Sequence, residues 1–333
     1  MTAGGTGQRG AALIFAMLLV SAMATLLVFN QQFFSFSWQL YQGAQSKQQA
    51  REFAHGAEAL AIVALRRQAE QDTTHLKQWW ASADNTYPIE GGQVSGRVRD
   101  AQNCFNLNGL TYGREMSAAG VASVQRTLVM QQFLSVLSLS NTLVADADKV
   151  LERTLDWIDQ DIQLAGAQGA ESADYQLYAK PFYTPDSAFG DLSEMLLWQL
   201  PAVQRVMDSA LFCTRPSRAL PSVNVNTLQE AQAVQLAGLF FGQLSVASAR
   251  EFIRNRPANG YAAQQDFLPS LLAQASLSDA QRALLQQQLL LRSYWFEVDV
   301  DVVLEGRREF LRSYVQVPRE GPAKVYRRIY GAL

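Results

Sequence analysis

The residues that build most metal and catalytic sites are scarce in this chain of 333 residues. It contains two histidines, His55 and His75, and two cysteines, Cys104 and Cys213. The cysteines lie far apart and form no CxxC motif, which argues against a structural zinc site. Neither histidine adjoins a nucleophile motif, and kinase, dinucleotide-binding and zinc-protease motifs are absent from the sequence. We therefore expect the protein not to be an enzyme.

The chain also lacks a strong excess of either charge. Its formal net charge is -2, from 28 basic and 30 acidic residues. Nucleic-acid binding favours a basic face, so this balance gives no reason to expect a DNA or RNA partner. Hydrophobic residues make up 48% of the chain, which is enough for a sizeable core. The length suggests two domains, or one domain with a large insertion.

Charge is missing altogether from residues 11–46. The first part, residues 11–29, is long enough to cross a bilayer as a helix at about 1.5 Å per residue. A secretory signal peptide would have a shorter apolar core and then a break. Here the run continues without proline into an amphipathic stretch that ends near residue 70. We predict one long helix, apolar first and amphipathic later.

An aromatic cluster after the apolar run suits a membrane–water interface. It consists of Phe33, Phe34, Phe36, Trp38 and Tyr41. Arg9 and the terminal amine are the only charges before the span, which predicts a cytoplasmic N-terminus and a body on the export side of the inner membrane. An ordinary single-pass anchor would show the same features.

Two regions of strand-like alternation flank a long helical region. Residues 94–98 alternate between apolar and polar, and residues 294–304 do the same before a turn at residues 305–307, which predicts a β-hairpin. Asp299 and Asp301 share one face of that hairpin, and we interpret them as solvated rather than metal-binding. Between the two regions, helical periodicity dominates. The clearest helical segments are residues 127–139, 148–162, 227–244, 246–256 and 279–295, with a predicted N-cap at Asn226-Thr227.

The N-terminus resembles that of type IV pilins and pseudopilins. A short polar leader ends at Arg9-Gly10, and AALI at residues 11–14 opens the apolar helix. In that family a prepilin peptidase cleaves after the glycine and methylates the new N-terminal residue. The resemblance therefore implies cleavage between Gly10 and Ala11, and methylation of Ala11.

One departure from the pilin pattern is informative. Most pilin-like proteins have Glu as the fifth mature residue, whereas this chain has Phe15. A carboxylate in the bilayer is costly without a partner, and in pilins it is thought to pair with the terminal amine of a neighbouring subunit. A subunit at the end of a filament has no such neighbour. The absence is typical of the type II secretion minor pseudopilin family called general secretion pathway protein K.

Segments of the body resemble the same family: RDAQNCFNLNGL, the DWID-rich loop with its GAE stretch, and PSVNVNTLQEAQAV. The resemblance implies an α+β type IV pilin-like fold, in which a long N-terminal helix and an antiparallel sheet carry a large all-α domain inserted between strands. The expected divisions are a leader (1–10), the helix and first strands (11–110), the inserted domain with helix-hairpin-helix units (111–291) and the closing strands (292–333). The hairpin AGLFFGQLS is bulky and lacks basic residues, so we interpret that unit as scaffold rather than DNA-binding.

The acidic loop within the DWID segment has two interpretations. Clustered carboxylates can bind Ca²⁺, but a solvated loop with helix caps has the same composition, and the spacing is not that of an EF-hand. Proteins of the family bind Ca²⁺ in the helical domain, so the resemblance favours calcium. The expected ligands are Asp159, Asp161, Glu171 and Asp174, with Asp186 ranked behind them. In an oxidising compartment the two cysteines are expected to pair as a disulfide; otherwise they are buried thiols.

The resemblance implies a structural role in type II secretion. The protein would form the tip of a periplasmic pseudopilus, start its assembly and limit its growth, for export of folded proteins across the outer membrane. The implied partners are minor pseudopilins I and J, then H and the major pseudopilin G, the prepilin peptidase, the inner-membrane secretion platform and secreted exoproteins. A membrane-anchored receptor for secretion substrates is the alternative, and a periplasmic hydrolase would need a nucleophile–base pair that we do not find.

Overall fold

The computed structural model describes residues 8–81, 85–112, 126–140 and 144–331, so the predicted leader up to residue 7 lies outside the described residues. The first element is α1, Gln8–Gln68, a single helix of 61 residues. It contains a window with a mean hydropathy of 2.6, none of which is buried, and it is long and apolar enough to cross a membrane. The prediction of one long helix is confirmed.

Nine strands form one large sheet and two short pairs in the described ranges. They are β1 (Asn85–Ile89), β2 (Gly92–Asp100), β3 (Phe105–Asn106), β4 (Phe212–Cys213), β5 (Val223–Asn224), β6 (Leu289–Leu290), β7 (Trp295–Leu304), β8 (Arg307–Gln316) and β9 (Lys324–Tyr330). The large sheet has the order β1-β2-β7-β8-β9, and each neighbouring pair is antiparallel. The pairs β3-β4 and β5-β6 are parallel.

The predicted hairpin is β7 and β8. Alternate residues of β7 are buried beneath α1 because successive side chains of a strand point to opposite faces. Glu305 and Gly306 both have positive φ, 51° and 75°, as the tight turn between two twisted strands requires. Asp299 and Asp301 lie on the opposite face, where they pair with Arg312 and Arg308 of β8. That face carries cross-strand ion pairs rather than isolated carboxylates.

The remaining helices lie between β2 and β7 in the chain. They are α2 (Leu128–Leu139), α3 (Val144–Ile158), α4 (Ser172–Tyr175), α5 (Pro201–Asp208), α6 (Ala233–Leu239), α7 (Val246–Arg254), α8 (Leu268–Leu272) and α9 (Asp279–Gln288), with short 3₁₀ turns at Leu107–Thr111, Leu192–Trp198, Glu230–Gln232 and Gln264–Asp266. A further 3₁₀ turn, Trp79–Ala81, lies between α1 and β1. Because β2 and β7 are neighbours in the sheet, the helical body is an insertion between two paired strands. The predicted α+β fold is confirmed.

Several predicted helices are shorter than their periodicity suggested. α3 ends at Ile158, and α9 ends at Gln288 because the next two residues pair with β5. The predicted N-cap at Asn226 is wrong. Its side chain bonds the backbone of Tyr261 in both directions, and the helical turn begins only at Glu230.

The sheet and the helical body have separate hydrophobic cores, joined by a polar junction. The core of the helical body includes Phe105, which precedes the predicted boundary at residues 110–111. The predicted domain limits stay a prediction.

At the junction, burial lowers the pKa of Arg215 to about 10. Its guanidinium donates to the carbonyl of Gln102 and lies 5.8 Å from the ring of Trp295.

A disulfide joins Cys104 to Cys213 beside this junction. The two Cα atoms are 5.8 Å apart, and the residues are separated by 109 positions in the sequence. The bond links β4 to the turn before β3, so it closes a loop that includes the first half of the helical body. Closing a loop of about this length contributes up to about 4–5 kcal/mol in the chain-entropy model.

Ion pairs fasten one flank of α1 to the sheet. Glu58, whose side chain is 4% exposed, pairs with Arg328 of β9 at 2.9 Å, and Arg51 pairs with Glu309 of β8 at 2.8 Å. His55 lies 3.1 Å from the hydroxyl of Tyr330. Burial alone would raise the pKa of Glu58, but the hydrogen bonds and charge of Arg328, with hydrogen bonds from Ser313 and His55, outweigh burial and lower that pKa.

Replacing this carboxylate tests the contribution of the pair. Glu58→Gln keeps the shape and removes the charge, so we expect a loss of about 1–3 kcal/mol of unfolding free energy at neutral pH. The folded-state pKa lies below the ordinary 4.5, so the stabilisation is present above that value and is lost as the pH falls through the folded-state pKa. Thermal unfolding of the detergent-solubilised protein across pH measures both effects. Glu52→Gln, on an exposed face of α1, is the control. A Glu58→Gln deficit that persists in strong acid would contradict the ion-pair explanation.

Candidate functional site

The acidic loop is folded back over the end of α3 by one buried carboxylate. Asp156 is fully buried, and its two oxygens accept hydrogen bonds from the backbone N–H groups of Ala165 (2.6 Å) and Ala170 (2.7 Å). Asp156 therefore shapes the loop. It is the first residue of the DWID segment, whose composition does not show this role.

Aromatic packing fixes the wall behind the loop. Trp157 is 2% exposed and stacks on Phe189, while the rings of Tyr175 and Trp198 meet it edge-on. Its indole N–H donates to Glu194 at 3.0 Å. Trp157 is therefore a core residue of the helical body.

Glu171 is the electrostatic centre of the loop. Its side chain is nearly buried, and burial is the largest cause that raises its pKa to about 8. The carboxylates of Asp156, Asp159, Asp186 and Asp161 raise it further, in that order. Among the described residues, Oε1 of Glu171 and Oδ1 of Asp186 are buried without a hydrogen-bond partner. Negative charge at this position is poorly compensated by protein groups.

The predicted ligands are therefore placed unequally. Asp159 and Glu171 are buried, and Asp186, ranked last from the sequence, points a buried oxygen inward from a left-handed backbone at φ 48°. Asp174 is exposed and accepts a hydrogen bond from the N–H of Glu171 at 2.9 Å, which closes the first turn of α4. Asp161 is also exposed and accepts from the N–H of Gln163 at 2.8 Å. The structure uses Asp174 and Asp161 for local turns.

The carboxylate oxygens of the loop are ligands that a hard cation prefers, but the structure does not hold them in a closed coordination shell. In the described ranges, no three Asp, Glu, His or Cys side chains converge tightly enough to hold a metal ion. Neighbouring carboxylates nevertheless contribute, after burial, to the raised pKa of Glu171. Ca²⁺ tolerates such irregular oxygen sites and takes 6–8 ligands, including backbone carbonyls.

The far end of this region is tied to the sheet. The guanidinium of Arg327, on β9, donates to the carbonyl of Gly190 at 3.2 Å and pairs with Asp191. Asp191 also begins the 3₁₀ turn that carries Trp198. Arg327 thereby connects the segment after the acidic loop to the sheet.

The predicted processing site lies at the opposite end of the molecule. Gly10 and Ala11 belong to the first turns of α1, and Phe15 is 73% exposed on its apolar surface. Cleavage, methylation and the significance of Phe15 stay predictions. So does the expectation that the chain is not an enzyme.

A long N-terminal helix whose second half packs on an antiparallel sheet defines a pilin-like protein, here one with a helical body inserted between paired strands. Two models of the family described as "Type II secretion system (T2SS), protein K" match this chain, at residues 103–207 and 223–292, which together are more than half of its length. The chain belongs to the type II secretion system protein K family.

Whole-length relatives agree with this assignment. Type II secretion system protein K of Pectobacterium carotovorum subsp. carotovorum is 28% identical over 97% of each chain, and that of Klebsiella pneumoniae is 29% identical over 93% of this chain and 92% of its own. A crystal structure of the GspK-GspI-GspJ complex from enterotoxigenic Escherichia coli contains a chain that is 28% identical. It matches with a TM-score of 0.73 and covers 88% of this chain and 99% of that one. The predicted family is confirmed.

Proposed function

We propose that this protein is the minor pseudopilin at the tip of the type II secretion pseudopilus, where it starts assembly and limits growth for export of folded proteins. The observation that carries the proposal is the position of the helical body. Ser46 of α1, shortly after the aromatic cluster, donates to Glu305 in the β7-β8 turn at 2.6 Å. At the other end of the sheet, the N–H of Thr74 donates to the carbonyl of Leu291 at 2.9 Å. The order from the membrane is therefore the span, the hairpin turns, the sheet and then the helical body.

This order supports placement at a filament end. With the N-terminus cytoplasmic, the sheet and helical body lie in the periplasm, and the helical body is the part farthest from the inner membrane. A subunit that must add above this chain would meet that body instead of a pilin-like surface. Growth then proceeds only from the membrane side.

The proposed partners follow from the related complex. Because a similar chain was solved with GspI and GspJ, we infer that the corresponding minor pseudopilins bind this protein, followed by pseudopilins H and G. The prepilin peptidase and the inner-membrane platform would act on it before assembly, and exoproteins would meet it at the tip.

Processing can be checked on the protein extracted from membranes. We expect a mature chain that starts at N-methylated Ala11, because the leader ends at Gly10. Mass spectrometry of the N-terminal peptide measures this directly. Gly10→Val should leave the leader attached, while Gly4→Val, within the leader, should not. An intact leader in the unaltered chain would favour an ordinary anchor.

The steric account predicts the effect of removing the helical body. Asp100 lies opposite Phe296 in the β2-β7 register, so a short turn can join these strands directly. We expect a protein in which such a turn replaces the helical body to lose its restriction to filament ends, because the helical body no longer lies above the sheet. Epitope labelling of sheared filaments locates it. If the label stays at the ends, the bulk of the body does not limit growth.

We further propose that the acidic loop binds Ca²⁺ through Asp159, Glu171 and Asp186, with Asp161 and Asp174 at the exposed rim. The buried, unpaired oxygens of Glu171 and Asp186 support this. A bound cation would compensate the carboxylates and hold the loop against α3.

Calcium binding has a direct readout. Ca²⁺ at 100 times its Kd should raise the unfolding free energy by about 2.7 kcal/mol, because the ion binds the folded state. Isothermal titration and thermal unfolding of the full chain measure binding and stabilisation. Glu171→Gln should abolish both, whereas Glu251→Gln, an exposed acid on α7, should change neither. Unchanged titration heat in Glu171→Gln would remove Glu171 from the site.

A further inference from the structure

One arginine beside the junction of the sheet and the helical body is buried but incompletely paired. Arg292 lies in the link between β6 and β7 and is 6% exposed. Its atom Nη2 is buried and has no hydrogen-bond partner among the described residues. Burial lowers the pKa of this guanidinium, and the charge of Arg319 lowers it further. A buried cation is costly unless a partner compensates its charge and accepts its hydrogen bonds.

Three segments of the chain meet around Arg292 and fix its surroundings. The segment after α1 is held by Thr74, whose hydroxyl accepts a hydrogen bond from the N–H of Ser293 at 3.2 Å. The loop between β8 and β9 is held by the N–H of Val317, which donates to the carbonyl of Tyr294 at 2.7 Å. The guanidinium itself lies 5.7 Å from the ring of Tyr294. The position of this cation is therefore set by the fold.

The acids of the three segments do not neutralise Arg292. The charge of Asp72 raises its pKa, but the side chain of Asp72 is 89% exposed and forms its ion pair with Arg319, at 3.4 Å. Glu70 and Glu320 belong to the same segments and are exposed. Two guanidinium groups thus share one carboxylate, which lies mostly in water.

A small oxyanion has the chemistry that these groups lack. A guanidinium donates parallel N–H bonds to the oxygens of a phosphate or a carboxylate. Because Arg292 is nearly buried, a flat protein surface cannot reach it, whereas a group of a few atoms can enter beside Arg319, whose side chain is 64% exposed. A neutral ligand would leave both cations uncompensated.

We propose that Arg292 and Arg319 form a binding site for a small oxyanion, a phosphate or a carboxylate, at the junction of the sheet and the helical body. The anion bridges the two guanidinium groups and joins the link before β7 to the loop between β8 and β9. That link is one of the two chain connections between the helical body and the sheet, so the bound anion strengthens the attachment of the body. The site shares no residue with the acidic loop and does not depend on the proposed function.

Thermal unfolding of the detergent-solubilised full chain tests the site. Inorganic phosphate is titrated against chloride at constant ionic strength, without divalent cations. We expect the melting temperature to rise saturably, by about 2–4 °C at ten times the Kd, because the anion binds the folded state. Arg292→Met should abolish this rise and should melt no lower than the unaltered chain without phosphate, since an uncompensated buried charge is removed. Arg250→Gln, an exposed position on α7, should keep the full response.

A second variant and a second readout separate specific binding from a general salt effect. Arg319→Gln changes an exposed side chain, and isothermal titration should show a phosphate affinity about tenfold weaker. The same titration with acetate identifies the preferred oxyanion, which is the one with the lower Kd. Amide exchange of residues 317–323 should slow on binding in the unaltered chain but not in Arg292→Met. Equal melting shifts in these two proteins would indicate only the general stabilisation by phosphate and would overturn the site. Absence of saturable binding of both anions would overturn it as well.

Discussion

The packing of the second half of α1 against β7 and β8 is the contact on which the rest of the structure depends. Small residues, Ala50 and Ala54, let the helix approach the sheet closely, and the alternating valines of β7 lose water only because the helix covers them. The same contact fixes where the β7-β8 turn lies along α1, with Glu305 beside Ser46. Since β2 and β7 also carry the two ends of the helical body, the position of that body follows from the helix–sheet contact.

The sequence could predict elements whose signals are local. The long uncharged helix and the β7-β8 hairpin were predictable because periodicity and turn chemistry act over a few residues. The helix ends inside the helical body were not, because distant partners set them. Asn226 looked like an N-cap, yet Tyr261, 35 residues later, takes both of its hydrogen-bonding groups. The exposure of Leu60 on α1 was equally hidden, because its helical spacing does not show how far the sheet extends.

The arrangement of the acidic loop was likewise predictable only in part. Composition identified the carboxylates, but not which of them face inward. Asp174 stands three residues after Glu171, the spacing at which a side chain caps the first turn of a helix, so its structural role had a signal in the sequence. The inward position of Asp186 had none, because it depends on a left-handed backbone in a long loop. The order of the proposed ligands therefore changes, while their chemistry does not.

In the proposed function, a terminal position has a steric cause. The helical body joins the neighbouring strands β2 and β7, so it covers one end of the sheet. The ion pairs Glu58–Arg328 and Arg51–Glu309 hold α1 against the sheet and share no residue with the helical body. Each feature can therefore be changed while the other is kept. A shortened chain that stays at filament ends would indicate that α1 and the sheet are sufficient for that position, because both are unaltered.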